Sequence, residues 1–135
     1  MSSCSFRGTA WILSSILWSM LLLYLSLTPA PPSVENPLGW DKLLHAAALG
    51  GTAFLTAGIC LAFRKTFHFS LVTGFISASL FGALIELLQW LFTVNRQAEL
   101  LDLVADMIGA FFAMTILYLL KNNLPSLAGW ADKWR

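Results

Sequence analysis

Four apolar stretches, at 10–27, 43–63, 69–91 and 101–120, each have close to the length that crosses a bilayer as a helix. A hydrocarbon core about 30 Å thick needs roughly 20 predominantly apolar residues at the helical rise. Backbone amides in that core have no water to bond, so each stretch must close its hydrogen bonds within itself as a helix. The fold class is therefore all-α, a bundle of four transmembrane helices with short loops. One integral membrane domain over residues 1–135 accounts for the sequence. With 58% of residues hydrophobic and only 11% charged, no separate soluble domain is expected, since soluble chains carry about 25% charged residues.

The punctuation between the stretches agrees with this division. Pro29, Pro31, Pro32 and Pro37 cannot continue the first helix. Arg64, Lys65 and His68 separate the second stretch from the third, 95–97 separates the third from the fourth, and Asn122, Asn123 and Pro125 end the last. The first stretch exceeds the about 7–15 apolar residues of a secretory signal, and a proline follows the Ala30 where cleavage would fall, so it is expected to stay as an anchor. A net charge of +1 gives no basic footprint for nucleic acid. The two cysteines, Cys4 and Cys60, do not suggest a disulfide framework.

Lysine and arginine set the expected orientation. Arg7, Arg64, Lys65, Lys121, Lys133 and Arg135 fall on one side of the bundle, and Lys42 and Arg96 on the other. Both termini are then cytoplasmic, and the loops at 28–40 and around Arg96 face outward. Trp40 and Trp90 suit the outer interface, and Trp11, Phe67 and Phe69 the inner one. In the 129–135 tail, Trp130 and Trp134 beside Lys133 and Arg135 read as an interfacial anchor.

The acids then sort unevenly. Glu35, Asp41, Glu86, Glu99, Asp102 and Asp106 all fall at the outer end and only Asp132 at the inner. Helical spacing puts Asp41 and His45 on one face of the second helix, continued inward by Thr52 and Thr56. Gly74, Ala78, Gly82 and Glu86 lie four apart on one strip of the third, with Gln89 just beyond. Asp102, Asp106, Gly109 and Ala113 share a stripe of the fourth, with Ala105 at its margin. Small residues mark close approach of membrane helices, so these strips are expected to face other helices rather than lipid. The expected outcome is a polar pocket under the outer surface, lined by Asp41, His45, Glu86, Gln89, Asp102 and Asp106 and covered by Arg96.

These residues also carry a resemblance. The D-K-x-x-H of Asp41, Lys42 and His45 resembles the VanZ-like family, as does the E-x-x-Q of Glu86 and Gln89 followed by Arg96, Asp102 and a polar residue four later. The exit from the first helix, Tyr24, Leu25, Ser26, Leu27, Thr28 and Pro29, is similar too, so the likeness runs over 24–113. No single motif is specific; their order and spacing carry it. The resemblance implies a small multi-pass protein of the bacterial cytoplasmic membrane, in a family named for an accessory protein that raises resistance to the glycopeptide teicoplanin. One departure is Asp106, a position that is more often Asn in that family.

His45, Glu86 and Asp41 are the candidate acid–base residues. An imidazole near a carboxylate suits proton transfer, and an acid within a membrane helix is a functional candidate by default. The plainer reading makes Glu86 a partner for Lys42 or Arg96, and His45 a spacer between Asp41 and the third helix. Lys42, Gln89, Arg96, Asp102 and Asp106 are the candidate binding residues; Arg96 offers a planar fork suited to phosphate or carboxylate, or else neutralises Glu99 and Asp102. No compact ligand motif, haem motif or nucleophile motif occurs; one imidazole with the carboxylates of Glu86, Asp102 and Asp106 leaves a divalent-ion site at His45 open on residue type alone, but no metal or other cofactor is assigned. The expected partners are a membrane lipid, a lipid-linked wall precursor or a glycopeptide, with a homo-oligomer open as well. Three functions stay in play: a binder or modifier of an envelope lipid that affects glycopeptide susceptibility, a non-enzymatic scaffold, and, ranked last, a proton-coupled transporter.

Overall fold

The computed structural model describes residues 3–28, 40–93 and 99–123. The proline-rich loop with Glu35, the Arg96 loop, the Trp40 side chain and the tail with Trp130, Asp132, Lys133, Trp134 and Arg135 lie outside the described residues. Four helices make up the described chain: α1 (Ser3–Leu27), α2 (Trp40–Ala62), α3 (Phe67–Phe92) and α4 (Leu100–Asn123). All four are long and apolar enough to cross a membrane. Among the described residues there is no strand. The helices are longer than the apolar stretches, and α2 begins at Trp40, so Asp41 and Lys42 ride on its first turn rather than in a loop.

Local chemistry fixes the α2–α3 turn. Arg64 N–H donates to the Leu61 carbonyl and Lys65 N–H to the Cys60 carbonyl, both at 3.0 Å, the paired bonds of a Schellman ending. Arg64 takes the left-handed position that this ending requires, with φ of 57°. Thr66 then caps α3, its hydroxyl accepting from Phe69 N–H at 3.3 Å. At the other end of α3, the N–H and the hydroxyl of Thr93 both donate to the Gln89 carbonyl, at 3.0 and 2.7 Å.

Helices α2, α3 and α4 form a tight triangle, and α1 leans into the groove between α2 and α3. Connectivity makes neighbours in sequence antiparallel and leaves α2 and α4 parallel, with Lys42 beside Asp102 and His45 beside Asp106. The α2–α4 interface is the most extensive. The core of Leu49, Ala53, Ala57, Ala78, Ala110 and Met114 is dominated by alanine. Such small side chains let backbones approach and gain dispersion contacts, the main source of attraction where lipid is as apolar as the protein. The large apolar side chains point outward: Leu17, Leu80, Phe92 and Phe112 are all exposed. That is the expected arrangement for a surface solvated by acyl chains.

The closest approach is at Gly109, where a Cβ would overlap the backbone of Ala46 on α2. At the opposite end, α3 and α4 are tied by Lys121, whose ammonium stands 4.3 Å from the centre of the Phe67 ring.

Two substitutions test this packing. Gly109→Ala should destabilise the protein by about 1–3 kcal/mol, the range for overpacked sites, seen as a lower thermal midpoint in detergent. Arg64→Gly should raise stability by about 1 kcal/mol, because glycine takes the left-handed position without a Cβ clash.

Candidate functional site

The end of the bundle where α2 and α4 begin gathers charge from three helices. Asp102 sits in the first turn of α4 and Asp41 in that of α2, where the helix dipoles favour a negative charge. Lys42 reaches across from α2, its ammonium 2.7 Å from Asp102 Oδ1 and 3.2 Å from Glu99 Oε2. One turn deeper, His45 Nδ1 and Asp106 Oδ1 share a hydrogen bond of 3.1 Å. Glu86 enters from α3, with Oε1 4.0 Å from the same imidazole nitrogen. Its other oxygen, Oε2, accepts from the backbone N–H of Glu99 at 3.0 Å.

Burial grades this cluster from wet to dry. Asp41 is exposed, Lys42 half-buried, and Glu86, Asp102 and Asp106 buried, Asp106 at 0% exposure. Gly82 makes room for Asp106: a Cβ there would run into its carboxylate. The four-residue strip on α3 therefore has two functions, close packing at Gly74, Ala78 and Gly82, and delivery of Glu86 one turn further. Buried charges demand partners, and removing one partner typically costs more than the pair contributes.

The expected residues thus meet, with rearranged roles. His45 takes its carboxylate from Asp106 on α4 rather than from Asp41, and Glu86 pairs with neither Lys42 nor, among the described residues, any other lysine or arginine. Lys42 bridges Glu99 and Asp102. Gln89 turns away from the cluster and donates from Nε2 to the Ser26 carbonyl at 3.1 Å, tying α3 to α1. The hydroxyls of Thr52 and Thr56 each donate to the carbonyl one turn back on α2, at 3.1 and 2.9 Å. Arg96 lies outside the described residues.

Beside the cluster opens a second feature that spacing alone had not suggested. A cleft of about 330 Å³ runs between α1, α2 and α3, walled by Trp18, Leu22, Leu25, Leu44 and Ile85, with Asp41 and His45 at its polar side. The Trp18 indole N–H donates to the Ala48 carbonyl at 3.2 Å. A signal for it does exist in the sequence: Trp18, Leu22 and Leu25 fall at i, i+4 and i+7 on one face of α1. His45 is common to the cleft and the charged cluster.

The chain matches no family model, no curated protein and no solved structure. The geometry therefore carries the functional argument.

Asp106 offers a direct test of the cluster's structural role. Asp106→Ala strands His45 without its acceptor and should cost about 3 kcal/mol or more. Asp106→Asn keeps an acceptor for the imidazole and should cost about 1 kcal/mol. Thermal melts of both variants in the same detergent provide the comparison.

Proposed function

We propose that the protein is a VanZ-like membrane protein that binds an envelope lipid or lipid-linked wall precursor from the outer leaflet. The observation that carries this reading is the continuity of an apolar cleft with a charged cluster at His45. An acyl or isoprenoid chain finds hydrocarbon walls in the cleft, while its headgroup is brought to Asp41 and His45. Pockets of this kind, mostly apolar with a few polar groups, are the usual form of small-molecule sites. The lateral position between α1 and its neighbours suits entry from lipid rather than from water. The ordered likeness at Asp41, Lys42, His45, Glu86, Gln89 and Asp102 supports the family reading, and an effect on glycopeptide susceptibility follows from that likeness. The bias of lysine and arginine supports cytoplasmic termini and an outward-facing cluster.

Chemistry on the bound lipid would fall to His45 and Glu86. The imidazole is the group shared with the cleft, and Glu86 stands behind it as a second proton acceptor. A different reading, a non-enzymatic scaffold, is favoured by one observation: Lys42, His45, Glu86 and Gln89 each make a contact between helices. In that case the cluster locks the bundle and does nothing further.

Ala47 lines the cleft from an exposed position, so Ala47→Phe fills the cleft without disturbing the core. Lipid retained through purification, read by native mass spectrometry, should fall about tenfold in this variant, equivalent to about 1.4 kcal/mol, with the melting temperature unchanged. Unaltered lipid retention would remove the cleft from the argument. Glu86→Gln should keep the lipid and abolish any lipid turnover or susceptibility phenotype; full activity in that variant rules out the proton-transfer role. Loss of stability alone favours the scaffold.

A further inference from the structure

The charged cluster contains an imbalance that the contacts among described residues do not resolve. Glu86 Oε1 and Asp106 Oδ2 are buried without a hydrogen-bond partner among the described residues. Buried polar groups are nearly always partnered, and an unpartnered one costs about 1–3 kcal/mol, more when charged. Both oxygens belong to side chains more than nine-tenths buried. His45 Nδ1 stands 4.0 Å from Glu86 Oε1 and 3.1 Å from Asp106 Oδ1, and one ligating atom from each of His45, Glu86 and Asp106 falls within 4.8 Å of the others.

We propose that His45, Glu86 and Asp106 bind a divalent first-row transition ion, with Glu86 Oε1, an Asp106 carboxylate oxygen and His45 Nδ1 as ligands. The chemistry of the set favours this class. Two carboxylates match the charge of a divalent ion and accept manganese, while the imidazole favours iron or zinc over magnesium or calcium. Three protein ligands leave coordination positions open, the arrangement of reactive rather than purely structural sites. The proton now shared by His45 and Asp106 moves to Nε2 or leaves when Nδ1 binds the ion, so no oxidant or reductant is involved. A second grouping, Asp41, His45 and Asp102, meets the same distance criterion. It is the weaker candidate, because Asp41 is exposed and Asp102 is already neutralised by Lys42 at 2.7 Å.

Residue types alone leave Asp102 open as a fourth ligand; the geometry sets it aside, because Lys42 holds it at 2.7 Å, and leaves one ligand each from α2, α3 and α4. The site is independent of the lipid reading, yet it bears on it. Lys42 is occupied by Glu99 and Asp102, so a bound cation at His45 would supply the positive charge that a phosphate headgroup needs.

The test uses the full chain in detergent, freed of metal with EDTA and then titrated with manganese by electron paramagnetic resonance and with zinc by calorimetry. The expected result is saturable binding of one ion per chain. Loss of a supporting group outside the ligand sphere weakens metal sites by about 10–100-fold, so Glu86→Gln and Asp106→Asn should each weaken binding at least that much. Asp41→Asn, which removes only the exposed carboxylate of the weaker grouping, should weaken binding less than either. Circular dichroism on each variant establishes that the helices persist. If a variant does not fold, the unaltered protein still decides: its melting temperature should rise with added metal and return with EDTA. No saturable binding by the unaltered chain overturns the proposal. So does binding that survives in both Glu86→Gln and Asp106→Asn. Lipid retention measured in EDTA is read separately, so failure of the metal site and failure of the lipid site are distinguishable.

Discussion

A charged side chain inside hydrocarbon has no solvent to turn to, and the buried polar contacts at this end of the bundle answer that constraint. Each ionisable group on α2, α3 or α4 is satisfied, where it is satisfied, by a group from another segment of the chain. Lys42 finds Asp102 and Glu99, His45 finds Asp106, and Glu86 finds the Glu99 amide. Such contacts require helices whose backbones nearly touch. Gly82 and Gly109 permit this, the first against Asp106 and the second against Ala46. Small residues and acids are thus parts of one design: the former bring the helices within reach, and the latter need that reach.

Much of this was legible in the sequence. Hydrophobic length alone gave the four helices, because lipid leaves the backbone little choice. The four-residue strip through Gly74, Ala78, Gly82 and Glu86 is buried as its spacing implied, and so are Asp102 and Asp106 on α4. Pairing was less readable. Periodicity says which face of a helix is buried but not which neighbour buries it, so Asp41, on the same face as His45, was the natural partner to expect. The parallel α2–α4 contact placed Asp106 there instead. The Gln89 bond to Ser26 was hidden for the same reason: it depends on where α1 docks.

The cleft also depends on that docking. Helix α1 touches the others through few side chains, with Leu22 the buried large apolar residue among those described for it. Trp11 and Trp18 press against Gly58 and Gly51 of α2, while the side of α1 towards α3 leaves lateral space. The polar cluster belongs to the triangle and the cleft to the groove under α1, and His45 is the residue that both share. Rigid charge geometry and an adaptable apolar wall are thereby placed side by side, each built by the part of the bundle suited to it.

The pairing of α2 with α4 has a further consequence for biogenesis. The two helices are separated in the chain by all of α3, so during synthesis α2 enters the membrane before its principal partner has left the ribosome. Throughout that interval Lys42 and His45 lack the acids that later hold them. Until α4 arrives, Lys42, on the first turn of α2, can reach the headgroup boundary with its long side chain. The last helix to be made completes the electrostatics of the second.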